Sequence, residues 1–149
     1  MTVTVHHEAT VLLTADLQEE SEQIQALARS LDLPHRAPDP ARLLSRNLLH
    51  TLVHLATVSA SAAAVVDAAD PPTVAHLRAL ARIESALQSM VSASGSMATV
   101  LDLLSTPDSG ITDTSGLVQA GRLRASALLA SASAHLGAAA AALRAAPAG

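Results

Sequence analysis

Residues 41–69 read ARLLSRNLLHTLVHLATVSASAAAVVDAA, and this stretch decides the fold class. Its leucines and valines recur at spacings of three and four, which is the period of an α-helix with one apolar face. Asp39 and Asp70 each stand directly before a proline, which is the order of an N-cap residue and a first helical position. We therefore predict a helix over about 41–69. Its predicted core stripe consists of Leu44, Leu48, Leu52, Leu55, Val58, Ala62, Val65 and Ala69.

The same period predicts three more helices, over about 5–32, 73–105 and 115–146. The beginning of the first helix stays open, because Thr2–Val5 alternates like a short strand whereas Ala9 and Leu12 extend the helical stripe towards the N-terminus. The stripe of this helix is Leu13, Leu17, Ile24, Leu27 and Leu31, and Glu19, Glu20 and Glu22 lie mostly off it. The third stripe is Leu77, Leu80, Ile83, Leu87, Met90, Met97, Leu101 and Leu104. The fourth stripe is Val118, Ala125, Leu129, Ala132, Leu136, Ala139 and Leu143.

Length and composition indicate how these helices assemble. The chain has 149 residues, half of them hydrophobic, and it contains no Phe, Trp or Tyr. Its apolar residues are mostly Ala and Leu, which are strong helix formers. Short connections between long helices favour antiparallel neighbours. We predict a single all-α domain over 1–149, an antiparallel up-down-up-down four-helix bundle with long Ala/Leu-rich helices.

Charge and cysteine content exclude several function classes. The net charge is −4, with nine Arg and no Lys, so we expect no nucleic-acid partner. Without cysteine the chain has no disulfide, thiol nucleophile or Cys-based zinc site. The N-terminal residues show no basic region followed by an apolar run, so we expect no signal peptide and a cytoplasmic location. Arg without Lys in an Ala-rich chain is typical of GC-rich coding, which favours a high-GC bacterium as the source.

Three uncharged stretches, 47–66, 85–101 and 125–143, are each about as long as a membrane span. They contain many Ser and Thr residues, and the chain has no aromatic belt. A helix that is apolar on most sides is also what the core of a bundle contains. We therefore expect a soluble bundle rather than a membrane protein.

The most chemical-looking feature is the pair His50 and His54, whose spacing of four places both on one side of a helix. Such a pair can chelate a metal ion. Thr51 stands where zincins carry an acidic residue, and the pair shares its side with Asn47, Thr57 and Ser61, which predicts a solvated polar face. In an up-down bundle His54 lies at the depth of three other candidate ligands, which are Glu19, Glu84 and His135. We nevertheless expect no bound metal, no cofactor and no catalytic residue.

Residues 42–104 offer a second interpretation of the same histidine. A histidine in a leucine-rich helix, the turn Asp70-Pro71 and a second helix containing 79–84 resemble the dimerisation and phosphoacceptor hairpin of actinobacterial sensor kinases. The resemblance implies His50 as the phosphoacceptor. Thr51 departs from the acidic residue that follows the acceptor in that family, and the chain carries no ATP-binding domain.

Packing gives the preferred prediction. Ala buries much less apolar area than Leu, so the core of such a bundle is thin. Leu49 and Val53 point away from the predicted stripe of their helix and towards a second apolar face. We therefore predict a non-enzymatic interaction module (a scaffold, adaptor or self-assembling subunit) with these two residues at a contact with another copy or another protein. The alternative is a small-molecule or metal-binding bundle that uses His50 and His54.

Overall fold

The computed structural model describes residues 2–32, 40–69, 71–105 and 115–145, which form four long α-helices. They are α1 (Thr2–Asp32), α2 (Pro40–Ala68), α3 (Val74–Ser105) and α4 (Ser115–Arg144). The described residues contain no strand, so the all-α prediction is confirmed. The alternative of a short strand at Thr2–Val5 is wrong, because α1 already includes these residues.

The beginning of α3 differs from the position that the proline suggested. The Thr73 Oγ1 accepts a hydrogen bond of 3.3 Å from the backbone N–H of His76, which makes Thr73 the N-cap. The helix therefore starts at Val74 and not at Pro71. Pro40 is the first residue of α2, as predicted. The two predicted aspartate caps, Asp39 and Asp70, lie outside the described residues.

Each helix packs against two of the other three. Helix α1 contacts α2 and α4, and α3 contacts the same two helices. Over the described ranges the backbones of α1 and α3 do not approach each other closely, and neither do those of α2 and α4. The helices therefore form a ring in chain order, in which α4 packs most closely against its neighbours and α2 packs least closely.

The core consists mainly of Leu, Ala, Val and Met side chains that point into this ring. The stripe predicted for α4 is confirmed at six of its seven positions, because Ala125, Leu129, Ala132, Leu136, Ala139 and Leu143 are buried, and Val118 is half-buried against the core. Three predicted stripe positions elsewhere are wrong, because Leu12, Leu52 and Leu77 are 66%, 45% and 56% exposed. Ala9, which was expected to extend the stripe with Leu12, is exposed as well. Each helix has only two neighbours, so the side that faces away from both stays uncovered whatever residues it carries.

Small residues bring α4 close to its neighbours. A Cβ added at Gly121 would collide with the Val100 side chain of α3, so a side chain at this position has no room. Towards α1, Ser21 donates a 2.8 Å hydrogen bond to the Ser133 carbonyl, and Ser133 donates one of 2.7 Å to the Ser21 carbonyl. Such reciprocal bonds require closely approaching backbones, which small side chains permit.

Candidate interaction surface

The inner side of α2 is unusually polar for a helix in a bundle. Leu44, Thr51, Val58 and Val65 recur every seven residues and are buried. Asn47 and Ser61 are buried between them, and the His54 side chain is only 18% exposed. The predicted solvated polar face is therefore wrong for these three residues and holds for the other two, which are the exposed His50 and Thr57. The side of α2 that faces the ring is therefore this seven-residue line and not the leucine stripe.

Local hydrogen bonds satisfy most of these inner polar groups. The Thr51 hydroxyl donates to the Asn47 carbonyl at 2.8 Å, and the Ser61 hydroxyl donates to the Thr57 carbonyl at 3.2 Å. The Asn47 Nδ2 is buried and has no hydrogen-bond partner among the described residues. A buried donor without a partner costs free energy. Helix α2 therefore gains less from its contact with the ring than an apolar helix would.

The bond between His54 and Glu20 links α2 to α1. The His54 Nδ1 lies 2.7 Å from Glu20 Oε2, with both side chains mostly buried. The sequence instead predicts His54 at the depth of Glu19 and Glu20 off the α1 stripe. Depth along a helix is predictable from residue counts, but one residue along α1 turns the side chain by about 100°. Glu20 faces α2, whereas Glu19 is exposed.

The outer side of α2 is apolar. Leu49 and Val53 are each 63% exposed, as their predicted direction away from the core stripe implies, and Leu52 and Val66 are 45% and 57% exposed. One line of exposed residues alternates at spacings of three and four along this side, and we name it the outer seam: Arg46, Leu49, Val53, Ala56, Ala60, Ala63 and Asp67. This spacing is that of the a and d positions of a coiled coil. The spacing of the seam is present in the sequence, but the leucine-rich stripe of the same helix was predicted instead.

A groove of about 430 Å³ lies beside the outer seam, between α1 and α2. Helix α2 contributes Thr57, Ala60 and Ala64 to its lining, and α1 contributes Asp16 and Glu19, whose side chains are exposed. We name it the acidic groove. Its full lining is Leu13, Asp16, Glu19, Glu20, Gln23, Thr57, Ala60, Ser61 and Ala64. The groove shares Ala60 with the outer seam, so the two surfaces adjoin each other.

The other proposed metal ligands lie apart. His135 Nδ1 is 3.5 Å from Arg82 Nη1 and is not paired with Glu84. Within the described ranges, no three or more His, Asp and Glu side chains are grouped closely enough to hold a metal ion. His50 is exposed, and the His54 ring is engaged with Glu20. Metal binding by the two histidines, and phosphotransfer at His50, stay alternatives to the preferred prediction.

Arg122 is a buried charge on the other side of the molecule, in α4. Burial lowers the pKa of its guanidinium, and the Asp32 carboxylate acts against this shift. The arginine lies on the same helix face as the core residues Ala125 and Leu129. It therefore contributes to the α1–α4 contact and adds nothing to the outer seam.

Within the part of the chain that the structure describes, two helices are long and apolar enough to cross a membrane, judged by length and composition alone. The window in Pro40–Ala68 has a mean hydropathy of 1.5 and is 22% buried in the bundle. The window in Gly116–Arg144 has a mean hydropathy of 1.4 and is 39% buried. A core helix of a bundle passes the same criterion.

Comparison of the chain with protein-family models, with curated proteins and with solved structures finds no match.

Proposed function

We propose that this protein is a non-enzymatic helical interaction module, a cytoplasmic self-assembling subunit or scaffold, whose contact surface is the outer seam of α2. The observation that carries the proposal is the orientation of α2, with polar residues on the inner side and Leu49 and Val53 63% exposed on the outer side. A contiguous exposed apolar face usually marks a contact with a partner.

The thin core supports the same proposal. Helix α4 fills its side of the ring largely with alanines, and α2 brings Asn47, Thr51 and Ser61 into it. Both features reduce the apolar area that a single chain buries, and stability falls with that area. Contact along the outer seam would bury more apolar surface without any change inside the ring.

We further propose that the four helices run up-down-up-down. Three hydrogen-bonded pairs support an antiparallel arrangement of α1 and α4. From one pair to the next, the residue number in α1 rises while the residue number in α4 falls. The pairs are Gln18 with Arg144, Ser21 with Ser133, and Ala28 with Ser126. Helices α3 and α4 follow the same rule through two contacts, Arg82 with His135 and Val100 with Gly121.

Size-exclusion chromatography with light scattering tests the proposed function. At tens of micromolar the protein should elute as a dimer or larger assembly. The variant Leu49→Glu/Val53→Glu should be a monomer with an unchanged circular dichroism spectrum, because two charges cannot be buried in an apolar contact. The matched control Leu77→Glu/Val91→Glu changes two α3 residues of similar exposure, 56% and 58%, and should leave the assembly intact.

Two results would contradict the proposal. A wild-type protein that is monomeric at tens of micromolar would remove self-assembly. A Leu49→Glu/Val53→Glu variant that unfolds would place these side chains in the internal core.

A further inference from the structure

We propose that two copies of this chain pair antiparallel along the outer seam, about a twofold axis near residues 54 and 55, and that Arg46 of each copy enters the acidic groove of the other. This inference rests on the proposed function and specifies its partner, orientation and charge contact.

The sizes of the seam residues favour the antiparallel orientation. The large residues Leu49 and Val53 lie in the N-terminal half of the seam, and its three alanines lie in the C-terminal half. In an antiparallel pair each a position lies opposite a d position of the partner. Leu49 then faces the partner's Ala60, and Val53 faces the partner's Ala56. Every apolar layer then combines a large with a small side chain, which allows close and even packing. A parallel pair would stack large on large and alanine on alanine.

The charges favour the same orientation. Arg46 begins the seam and Asp67 ends it, and both are exposed. A parallel pair would place two arginines together at one end and two aspartates together at the other. In the antiparallel register Arg46 lies level with the partner's Ala63, next to the alanines that line the acidic groove. Opposite charges then meet, and this gives an interface its specificity.

The position of α1 favours the same orientation. His54 contacts Glu20, and the acidic groove runs from there along the C-terminal half of α2, where Asp16 and Ala64 line it. In the antiparallel pair the twofold axis lies in the plane of the interface and is perpendicular to both α2 helices. Rotation about this axis keeps both α1 helices on the same side of the dimer. Arg46 therefore approaches the groove of the other copy from its open side. Because the interface is isologous, the Arg46–Asp16 contact forms twice.

Cysteine crosslinking tests the orientation, since the natural chain contains no cysteine. Arg46→Cys and Ala63→Cys are made as separate single variants of the full chain. In the antiparallel dimer two copies of the same position lie about 25 Å apart along the axis, at 1.5 Å per residue, which is too far for a disulfide. Each variant alone should stay uncrosslinked under mild oxidation, and an equimolar mixture should give a heterodimer.

Charge reversal tests the groove. Arg46→Glu should raise the dissociation constant of the dimer roughly tenfold, because the weakened contact occurs twice. Adding Asp16→Arg to Arg46→Glu should restore most of the affinity. The matched control Arg78→Glu reverses an exposed arginine of α3 and should leave the dissociation constant unchanged.

The outcomes separate this inference from the proposed function. Crosslinking of Arg46→Cys with itself would show a parallel pair and overturn the inference alone. A dimer that Leu49→Glu/Val53→Glu disrupts but that gives no crosslink in the mixture would also overturn only the inference. A monomeric wild type that floats with vesicles of phosphatidylcholine and phosphatidylglycerol would assign the seam to lipid and overturn both.

Discussion

Helices α2 and α4 have similar lengths, 29 and 30 residues, and contain windows of similar hydropathy, 1.5 and 1.4. The bundle nevertheless buries 39% of the window in α4 and only 22% of that in α2. Helix α4 turns Leu129, Leu136 and four of its alanines inwards, whereas α2 turns Leu49 and Val53 outwards. Similar hydropathy therefore has two structural outcomes, which are a more deeply buried helix in α4 and an exposed apolar side in α2.

The difference arises from what each helix offers its neighbours. Helix α4 has a continuous line of small and apolar residues, so α1 and α3 approach it closely at Ser133 and Gly121. On α2 the corresponding line contains Asn47, Thr51 and Ser61, whose polar groups need local hydrogen bonds or remain unpaired. Helix α2 therefore has weaker apolar contacts with its neighbours, and its larger side chains remain exposed on the outer side.

The largest expected difference between the two helices is in side-chain truncation. Leu136 of α4 is fully buried, and Leu136→Ala should lower the free energy of unfolding by about 3 kcal/mol through lost burial and a cavity. Leu52 of α2 is 45% exposed, and Leu52→Ala should cost under about 1 kcal/mol. Urea denaturation of dilute protein measures both. Equal losses would show that α2 contributes to the core as much as α4 does.

Two glycine substitutions sharpen the comparison by testing the close contact of α4. Gly121→Ala should destabilise the fold by about 1–2 kcal/mol, since the new methyl collides with Val100 and this cost exceeds the gain in helix propensity. Gly95 of α3 has open space around it, so Gly95→Ala should stabilise by about 1 kcal/mol. Thermal melting followed by circular dichroism gives both signs. Stabilisation by both alanines would mean that α3 and α4 lie further apart at Gly121.

The smallest expected effect concerns the polar inner side of α2. Asn47→Leu removes a buried donor without a partner among the described residues and should raise the free energy of unfolding by about 1 kcal/mol. Thr51→Val is the control, with an expected change within about 0.5 kcal/mol, because its hydroxyl is already bonded within the helix. Destabilisation by Asn47→Leu, measured by urea denaturation, would show that the amide has a partner and that α2 is bound more firmly than its contacts indicate.

The sequence by itself determined the all-α class and the core stripe of α4. These features are local: the 3.6-residue period, helix propensity and proline positions act within a few residues of the chain. The seam from Arg46 to Asp67 has the same local origin and could have been found from its alternating spacings of three and four.

Only the tertiary structure decided which side of α2 faces inwards. Residues 43–55 carry leucine or valine at seven positions that surround the helix on most sides, so the local period allows several rotations. In the four-helix ring, α2 adopts the rotation that buries Thr51, joins His54 to Glu20 and exposes Leu52. Rotation of a helix about its axis depends on the shapes and polar groups of its neighbours, and these lie far away in the sequence.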